Sequence, residues 1–202
     1  MLHTLERQGP AALEAFTGIS GWYLDADGRR HLRSTSSYLW RQYLRVPELI
    51  DAGGATLPRL VIHGDFGCDA VLLDGGQPGV PADGLAGFER ARYDLRAGDL
   101  AAALTSFAAA SGGFDLERCA ELVAAYAQVD RLSPGEVEAL PLVLRVGRLV
   151  RVFRLTSRLE EGVPDSVIHP LVKVIDDEAV RLRWLEEHEK ALIDALGSAL
   201  VA

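Results

Sequence analysis

Apolar residues recur along this chain at two periods, and the change between them divides it. From Leu2 to Phe16, the residues Leu2, Leu5, Ala12, Leu13 and Phe16 fall at helical spacing, with Pro10 dividing the run and Thr17 to Gly21 ending it. The segment GWYLDADGRRHLR sets an Asp27-Gly28 turn between short runs and reads as a hairpin or an ordered loop. Ser34 to Ser37 supply N-caps for a helix carrying Tyr38, Leu39, Trp40, Tyr43 and Leu44, which stops near Pro47 or at Gly53-Gly54. The pattern then shortens. LPRLVIHGD reads as a short buried strand entering a loop, AVLLDGG as a second strand with a Gly-Gly turn, and the run up to Phe88 as a third.

Beyond Arg96 the period is helical to the end. DLAAALTSFAAA is one helical run; after Gly112-Gly113 comes FDLERCAELVAAYAQV, with Asp115 as its cap. Ser133-Pro134-Gly135-Glu136 has capping-box spacing with proline at the first helical position, and opens a long helix through Arg158 that Pro141 can kink. A last helix runs from about Pro170 to Leu200, where Asp176, Asp177 and Glu178 read as a solvated face. No internal repeat and no flexible linker interrupts this order. The expectation is one α+β domain over residues 1–202, mostly helical, with a short strand cluster packed on a helical bundle.

Composition narrows the choice of partner. The chain has 202 residues, 49% of them hydrophobic, enough for a real core. Its 29 acidic residues outnumber 21 basic ones, for a formal charge of -8, and the basic residues look scattered along the sequence, so a phosphate backbone is a poor fit and no nucleic acid is expected. Cys68 and Cys119 lie far apart with no CxxC spacing, which points to neither a disulfide framework nor zinc. No basic-then-apolar start and no stretch of membrane-spanning length is present, and the expectation is a cytoplasmic protein with no membrane partner.

The stretch that carries chemistry is LVIHGDFGCDAVLLDGG, followed by GLAGFERARYDLRAGDLAAAL. A buried strand ending in His63-Gly64-Asp65 sets a carboxylate at the mouth of a cleft. In order and spacing it resembles the aminoglycoside phosphotransferase, choline kinase and homoserine kinase-like family, whose HGDxxxxN is followed by short strands, an aspartate and a downstream DLA. His63-Gly64-Asp65 matches the catalytic loop, Val71-Leu72-Leu73 the strand after it, and Asp99-Leu100-Ala101 the start of the next helix, so the resemblance spans about Leu57 to Ala103. It implies a kinase-like C-terminal lobe in which Asp65 orients an acceptor hydroxyl and takes its proton. It also implies that His63 braces the loop, and that ATP and magnesium ions serve transfer to a hydroxyl-bearing small molecule.

The departures concern the metals. With four residues between, the family's asparagine falls on Ala70, and its DFE-like aspartate falls on Gly87; neither side chain can ligate magnesium. Asp69, beside Ala70, and Asp83, just before Gly87, are possible substitutes, although a one-residue shift on a strand sends a side chain to the opposite face. The resemblance also implies a small N-terminal sheet with an ATP-binding lysine, yet residues 1–62 read as helical and hold no Gly-rich phosphate loop. The expectation is a C-lobe with the N-lobe absent, degenerate and non-catalytic.

Two alternatives stand beside it. One is an active ATP-dependent kinase whose N-lobe is supplied elsewhere; the other is a helical interaction module that dimerises or recruits a partner chain through the uncovered face. A triad of His63 or His169 with Ser111 or Cys119 lacks any GxSxG elbow, and His3, His31 and His188 read as surface residues. Asp176, Asp177, Glu178, Glu186, Glu187 and Glu189 could line a pocket for a cationic ligand, or simply keep the chain soluble.

Overall fold

The computed structural model describes residues 18, 25–53, 57–73, 82–160 and 164–200; the helix expected over Leu2 to Phe16, His3, and the Gly-Gly turn after AVLLD lie outside them. In chain order the elements are helix α1 (Ala26–Gly53), strands β1 (Arg59–Ile62), β2 (Val71–Leu72), β3 (Gly84–Leu85) and β4 (Arg92–Leu95), helix α2 (Ala97–Phe107), strands β5 (Ala109–Ala110) and β6 (Gly113–Phe114), then helices α3 (Leu116–Val129), α4 (Pro134–Glu160) and α5 (Asp165–Ala199). The described chain is mostly helical with a few short strands, as its periodicity predicts. It forms two compact units, one from Met1–Asp51 and Arg145–Glu187, the other from Ala52–Leu144 and His188–Ala202. No helix among the described residues is long and apolar enough to cross a membrane.

The first unit corrects four expectations. Asp27 and Gly28 lie in the first turn of α1 and not in a hairpin, because the Asp25 side chain accepts the Gly28 N–H at 2.7 Å and its carbonyl accepts the Arg29 N–H at 3.0 Å. Ser34 to Ser37 are helix interior. Ser37 donates its hydroxyl back to the Arg33 carbonyl at 2.8 Å, and Leu32, Thr35, Ser36, Leu39, Gln42 and Val46 are buried at a three-to-four spacing. That stripe carries the helix through the serines and past Pro47 to Gly53. Helix α5 begins at Asp165, so Pro170 falls inside it; the Val167 N–H already donates to the Pro164 carbonyl at 2.8 Å, and Ile168 and Leu171 are buried.

The fourth correction is electrostatic. Of the three acids read as a solvated face, only Asp177 faces water, with Lys173 at 3.1 Å; Asp176 accepts from the Thr35 hydroxyl at 2.9 Å and lies 3.1 Å from His31, and Glu178 is 1% exposed. Glu178 is surrounded by Arg148, Arg151 and Arg181. Basic residues scattered in the sequence therefore meet in space, since the three-residue step from 148 to 151 is one helical turn.

The second unit holds the strands. Strand β1 pairs antiparallel with β4, Val61 opposite Tyr93 and Ile62 opposite Arg92, while β2 pairs with β3 through Val71 opposite Leu85. Strand β4 and the β5–β6 hairpin were not anticipated. The alanine run expected to continue as helix stops at Phe107, because Ala108 is fully buried at the cap and Gly112, at φ 76°, turns Ala109–Ala110 back on Gly113–Phe114. Asp115 caps α3 by accepting the Glu117 and Arg118 N–H groups. The capping box of α4 also forms: Ser133 N–H donates to Glu136 at 2.9 Å and Glu136 N–H to Ser133 Oγ at 3.3 Å. Arg96 ties this box to the end of β4, with Nε and Nη2 on the two Glu136 oxygens at 2.8 and 2.6 Å and Nη1 on Asp130. Burial opposes ionisation of Glu136, but Arg96 and Ser133 outweigh it and hold its carboxyl below the usual range.

Candidate functional site

The turn after β1 is built by its backbone first. The Asp99 carboxylate, in the first turn of α2, accepts the His63 N–H at 2.6 Å and the Gly64 N–H at 2.8 Å. One acid thus fixes both peptides that lead into Asp65, each through a charge-assisted bond. Gly98 lets α2 approach, since a Cβ there would stand 3.3 Å from Ile62.

The His63 ring completes the frame. Its Nε2 lies 2.7 Å from the Ala86 carbonyl, which can only accept, and its Nδ1 lies 3.4 Å from the Asp65 N–H, which can only donate. The network therefore uses the neutral ring with its proton on Nε2. Phe66 and Phe88 flank the ring, with centroids at 6.0 and 4.7 Å, and the residue is buried. His63 is the brace that the sequence predicts.

Gly64 is required twice over. Its φ is 84°, and a Cβ would lie 2.2 Å from the Arg90 carbonyl oxygen and 2.4 Å from Arg92 Nη1. Arg92 fills that space: its Nη1 donates to the Gly64 carbonyl at 3.1 Å and to the Arg90 carbonyl at 3.3 Å, while its Nε donates to Asp94 at 2.9 Å. Burial of Asp94 disfavours its charge, but the Leu95 N–H and Arg92 prevail and keep the carboxyl below its ordinary value. On the other side, Ser106 Oγ accepts the Cys68 N–H at 2.8 Å.

Asp65 itself stands at the surface, 60% exposed, with its Oδ2 at 3.0 Å from Arg90 Nη1. Ala70 is buried in a single 3-10 turn, Cys68–Ala70, and serves through its backbone, its carbonyl accepting the Ala86 N–H at 2.9 Å. Gly87 sits at φ 83°, ψ 31°; a Cβ there would meet His63 Cε1 at 3.6 Å and Glu89 Oε2 at 4.0 Å, which is ordinary contact. Room for a side chain exists at Gly87, and no donor fills it. Asp69, in the 3-10 turn, and Asp83, just before β3, are both exposed. Among the described residues no group of three or more His, Cys, Asp or Glu side chains is placed to hold a metal ion.

Asp99, Arg90, Arg92 and Ser106 escaped the sequence reading as site residues. The signal for Arg92 was the alternation of charge in ERARYD, which marks a strand whose arginine and aspartate share a face. Of the residues weighed for a triad, His63 is engaged and Cys119 buried, while His169 and Ser111 are exposed. Both His63 ring nitrogens are taken, Ser111 lies in the exposed β5–β6 turn, and burial pushes the Cys119 thiol up to about 12. Both cysteines are free thiols, Cys68 exposed and Cys119 buried.

A comparison with known protein families covers the segment that holds this turn. The model of the phosphotransferase enzyme family matches residues 2–140. A homoserine kinase of Parvibaculum lavamentivorans (strain DS-1) is 39% identical over 115 residues, which are 56% of this chain and 32% of that kinase. The chain thus spans about a third of the length of this curated relative. No solved structure matches. At Ala70 and Gly87, where the resemblance sets the family's metal ligands, the residues present do not fit magnesium, since Ala70 is a buried methyl and Gly87 has no side chain.

Proposed function

The chain belongs to the phosphotransferase enzyme family, and from that premise we propose that it is a kinase-like C-terminal lobe that keeps the catalytic turn as a scaffold and does not transfer phosphate. It would act in the cytoplasm as a binding module. The observation that carries this reading is the disparity at the turn. Four devices hold it: Asp99 on its backbone, His63 between Ala86 and Asp65, Gly64 under Arg92, and the Arg90–Asp65 pair. Nothing at Ala70 or Gly87 supplies the oxygen ligands through which such a turn is used in phosphoryl transfer. A frame retained without its metal ligands serves recognition, and the family's ligand class, a small hydroxyl-bearing or cationic molecule, is what it would recognise. Purified protein incubated with ATP, magnesium and a panel of small hydroxyl compounds, homoserine among them, should release no labelled product. Magnesium-dependent transfer that Asp65→Ala abolishes would overturn the reading.

A second reading rests on the length of the relative, of which this chain covers 32%. In it the chain is one lobe of an active kinase whose ATP-binding lobe lies on other sequence, and ATP and magnesium are its cofactors. Asp69 or Asp83 then stands in for the missing ligand. The strand cluster supports a docking partner for this lobe or a second copy, because Val61, Tyr93, Leu72, Leu85 and Phe88 are all exposed. Size measurement in solution, with and without co-expressed flanking sequence, separates the two readings. A monomer that stays inactive beside its flanking sequence leaves the first.

A further inference from the structure

Strands β1 and β4 form a two-stranded ribbon, and the alternation of its hydrogen bonds fixes which backbone groups are spent inside it. The Arg96 N–H donates to the Pro58 carbonyl at 3.0 Å, one step beyond the Arg59–Leu95 pair, so these two residues are a bonded pair of the same antiparallel ladder. Bonded pairs alternate with unbonded ones in such a ladder. Leu60–Asp94 and Ile62–Arg92 are therefore bonded, while Arg59, Val61, Tyr93 and Leu95 turn their N–H and C=O groups outward to the edges. Three bonds outside the ladder agree with this phase. His63 N–H goes to Asp99, Leu95 N–H to the Asp94 side chain and Ala91 N–H to the Phe88 carbonyl, and all three residues have outward parity.

Those bonds close the β4 edge on either side of Tyr93 and close β1 from His63 onward. The β1 edge at Arg59 and Val61 stays open: among the described residues no third strand pairs with it and nothing bonds its outward amides and carbonyls. The same phase sets Val61 and Tyr93 side by side as an unbonded pair, the kind whose side chains stand closest. They are 71% and 69% exposed, whereas Ile62, on the opposite face, is buried. What complements such an edge is another polypeptide backbone, because an extended chain repeats its N–H and C=O groups at the step of the strand and lays alternate side chains along one face. Charge selects which chain. The unit that holds β1 has 7 Lys and Arg against 15 Asp and Glu (7 − 15 = −8), and the other unit has 14 of each, so the whole formal charge lies on the unit with the open edge. Arg59 beside the edge is answered by Asp94 at 3.8 Å. A second copy would set -8 against -8, whereas a basic segment is drawn in.

We propose that the open edge of β1 at Arg59–Val61 docks a basic, extended segment of another protein, which joins the ribbon as a third strand and lays apolar side chains against Val61 and Tyr93. The edge uses neither the Asp65 carboxylate nor Ala70 and Gly87. It serves whether or not the turn transfers phosphate, so its failure and that of the proposed function are read by separate experiments.

The test is a titration of the full chain with a synthetic peptide that alternates lysine with valine, followed by calorimetry and by hydrogen exchange at single amides. Two control peptides carry glutamate in place of lysine, or N-methyl groups along the backbone of the lysine-valine sequence. Saturable binding that slows exchange at the Arg59 and Val61 amides, and that both controls lose, supports the edge. Val61→Pro deletes one outward N–H while leaving the bonded pairs intact, and should weaken the peptide about tenfold, the upper range for one backbone hydrogen bond. Absence of saturable binding, equal binding of the glutamate peptide, or unchanged affinity in Val61→Pro overturns the proposal. Slowed exchange at the same two amides when the protein alone is concentrated also overturns it, in favour of a second copy. A melting curve checks that Val61→Pro folds. If it does not, Val61→Lys keeps the backbone, sets a cation against the lysines of the peptide and must lose affinity; unchanged binding there overturns the proposal too.

Discussion

Two carboxylates organise the two units of this protein, and they do so with opposite partners. Asp99 takes two neutral backbone N–H donors, at 2.6 and 2.8 Å, and ends with its charge spent on geometry. Glu178 takes three charged side chains, from Arg148, Arg151 and Arg181. The first arrangement fixes a backbone and asks for nothing more. The second holds side chains in place at the cost of mutual repulsion, and is stable only with its carboxylate present. A part-buried acid with amide donors is a positioning device, whereas a buried one among guanidiniums is an electrostatic hub.

Glu178→Ala breaks the comparison hardest. It strands the buried Arg148 guanidinium without its counter-charge, and removal of one partner from a buried pair costs about 3–5 kcal/mol. Urea denaturation should show that loss, and Glu178→Gln should recover part of it, because an amide oxygen still accepts. A loss under about 1 kcal/mol would mean that water already satisfies the arginines, and the charge argument at the hub would go with it.

Asp99→Ala comes next, at about 3 kcal/mol, since two part-buried N–H groups lose a charged acceptor worth about 1.5–3 kcal/mol for each bond and the two losses overlap. Hydrogen exchange at His63 and Gly64 should quicken ahead of the rest of the chain. Asp99→Asn separates charge from geometry, because one amide oxygen can serve only one of the two peptides well.

Acid sharpens the contrast between the units. Asp94 and Glu136 in one unit and Glu186 in the other are each held below the ordinary carboxylate value despite burial, by Leu95 and Arg92, by Arg96 and Ser133, and by Gln42, Tyr38 and nearby arginines respectively. A carboxyl whose folded pKa is depressed stabilises the fold above its unfolded value and loses that contribution as pH falls through the folded one. Stability should therefore be level near neutrality and decline as pH falls below the ordinary values of 4.5 and 3.8. With two such groups against one, exchange protection should fade sooner in the unit that holds Asp65. Equal loss in both would show that other carboxylates govern the acid limb.

What the sequence made legible was local. The Asp115 cap and the Ser133–Glu136 box depend on residues within a few positions of one another and form as spelled, while the His63-Gly64-Asp65 turn is legible as a motif although Asp99, Ala86 and Arg92 hold it from a distance. Features set by distant partners were not legible. Ser34 to Ser37 look like caps until burial against their own unit keeps them helical, and Ala109–Ala110 looks helical until the turn at Gly112 pairs it with Gly113–Phe114. Glu178 reads as solvated for the same reason: two of its three counter-charges arrive from another helix, and no spacing within EAVRLR reveals Arg148 or Arg151. At the site, sequence named the aspartate of the turn but not Asp99 as its brace or Arg90 as its partner, since both answer to the β1–β4 pairing.

The Arg90–Asp65 pair is where the smallest effect is expected and the most is learned about the turn. Both side chains are at least half exposed, so Arg90→Gln should change stability by less than about 1 kcal/mol, and 0.5 M salt should erase the difference between variant and parent. If the turn is held by Asp99, His63 and Gly64, the Asp65 carboxylate keeps its place when Arg90 is gone, and its carbon chemical shift moves only as the lost charge requires. A large stability change would transfer the role of brace from the part-buried Asp99 carboxylate to the surface pair. The distinction between a neutral, geometric frame and a charged hub would then fail at the turn where it was drawn.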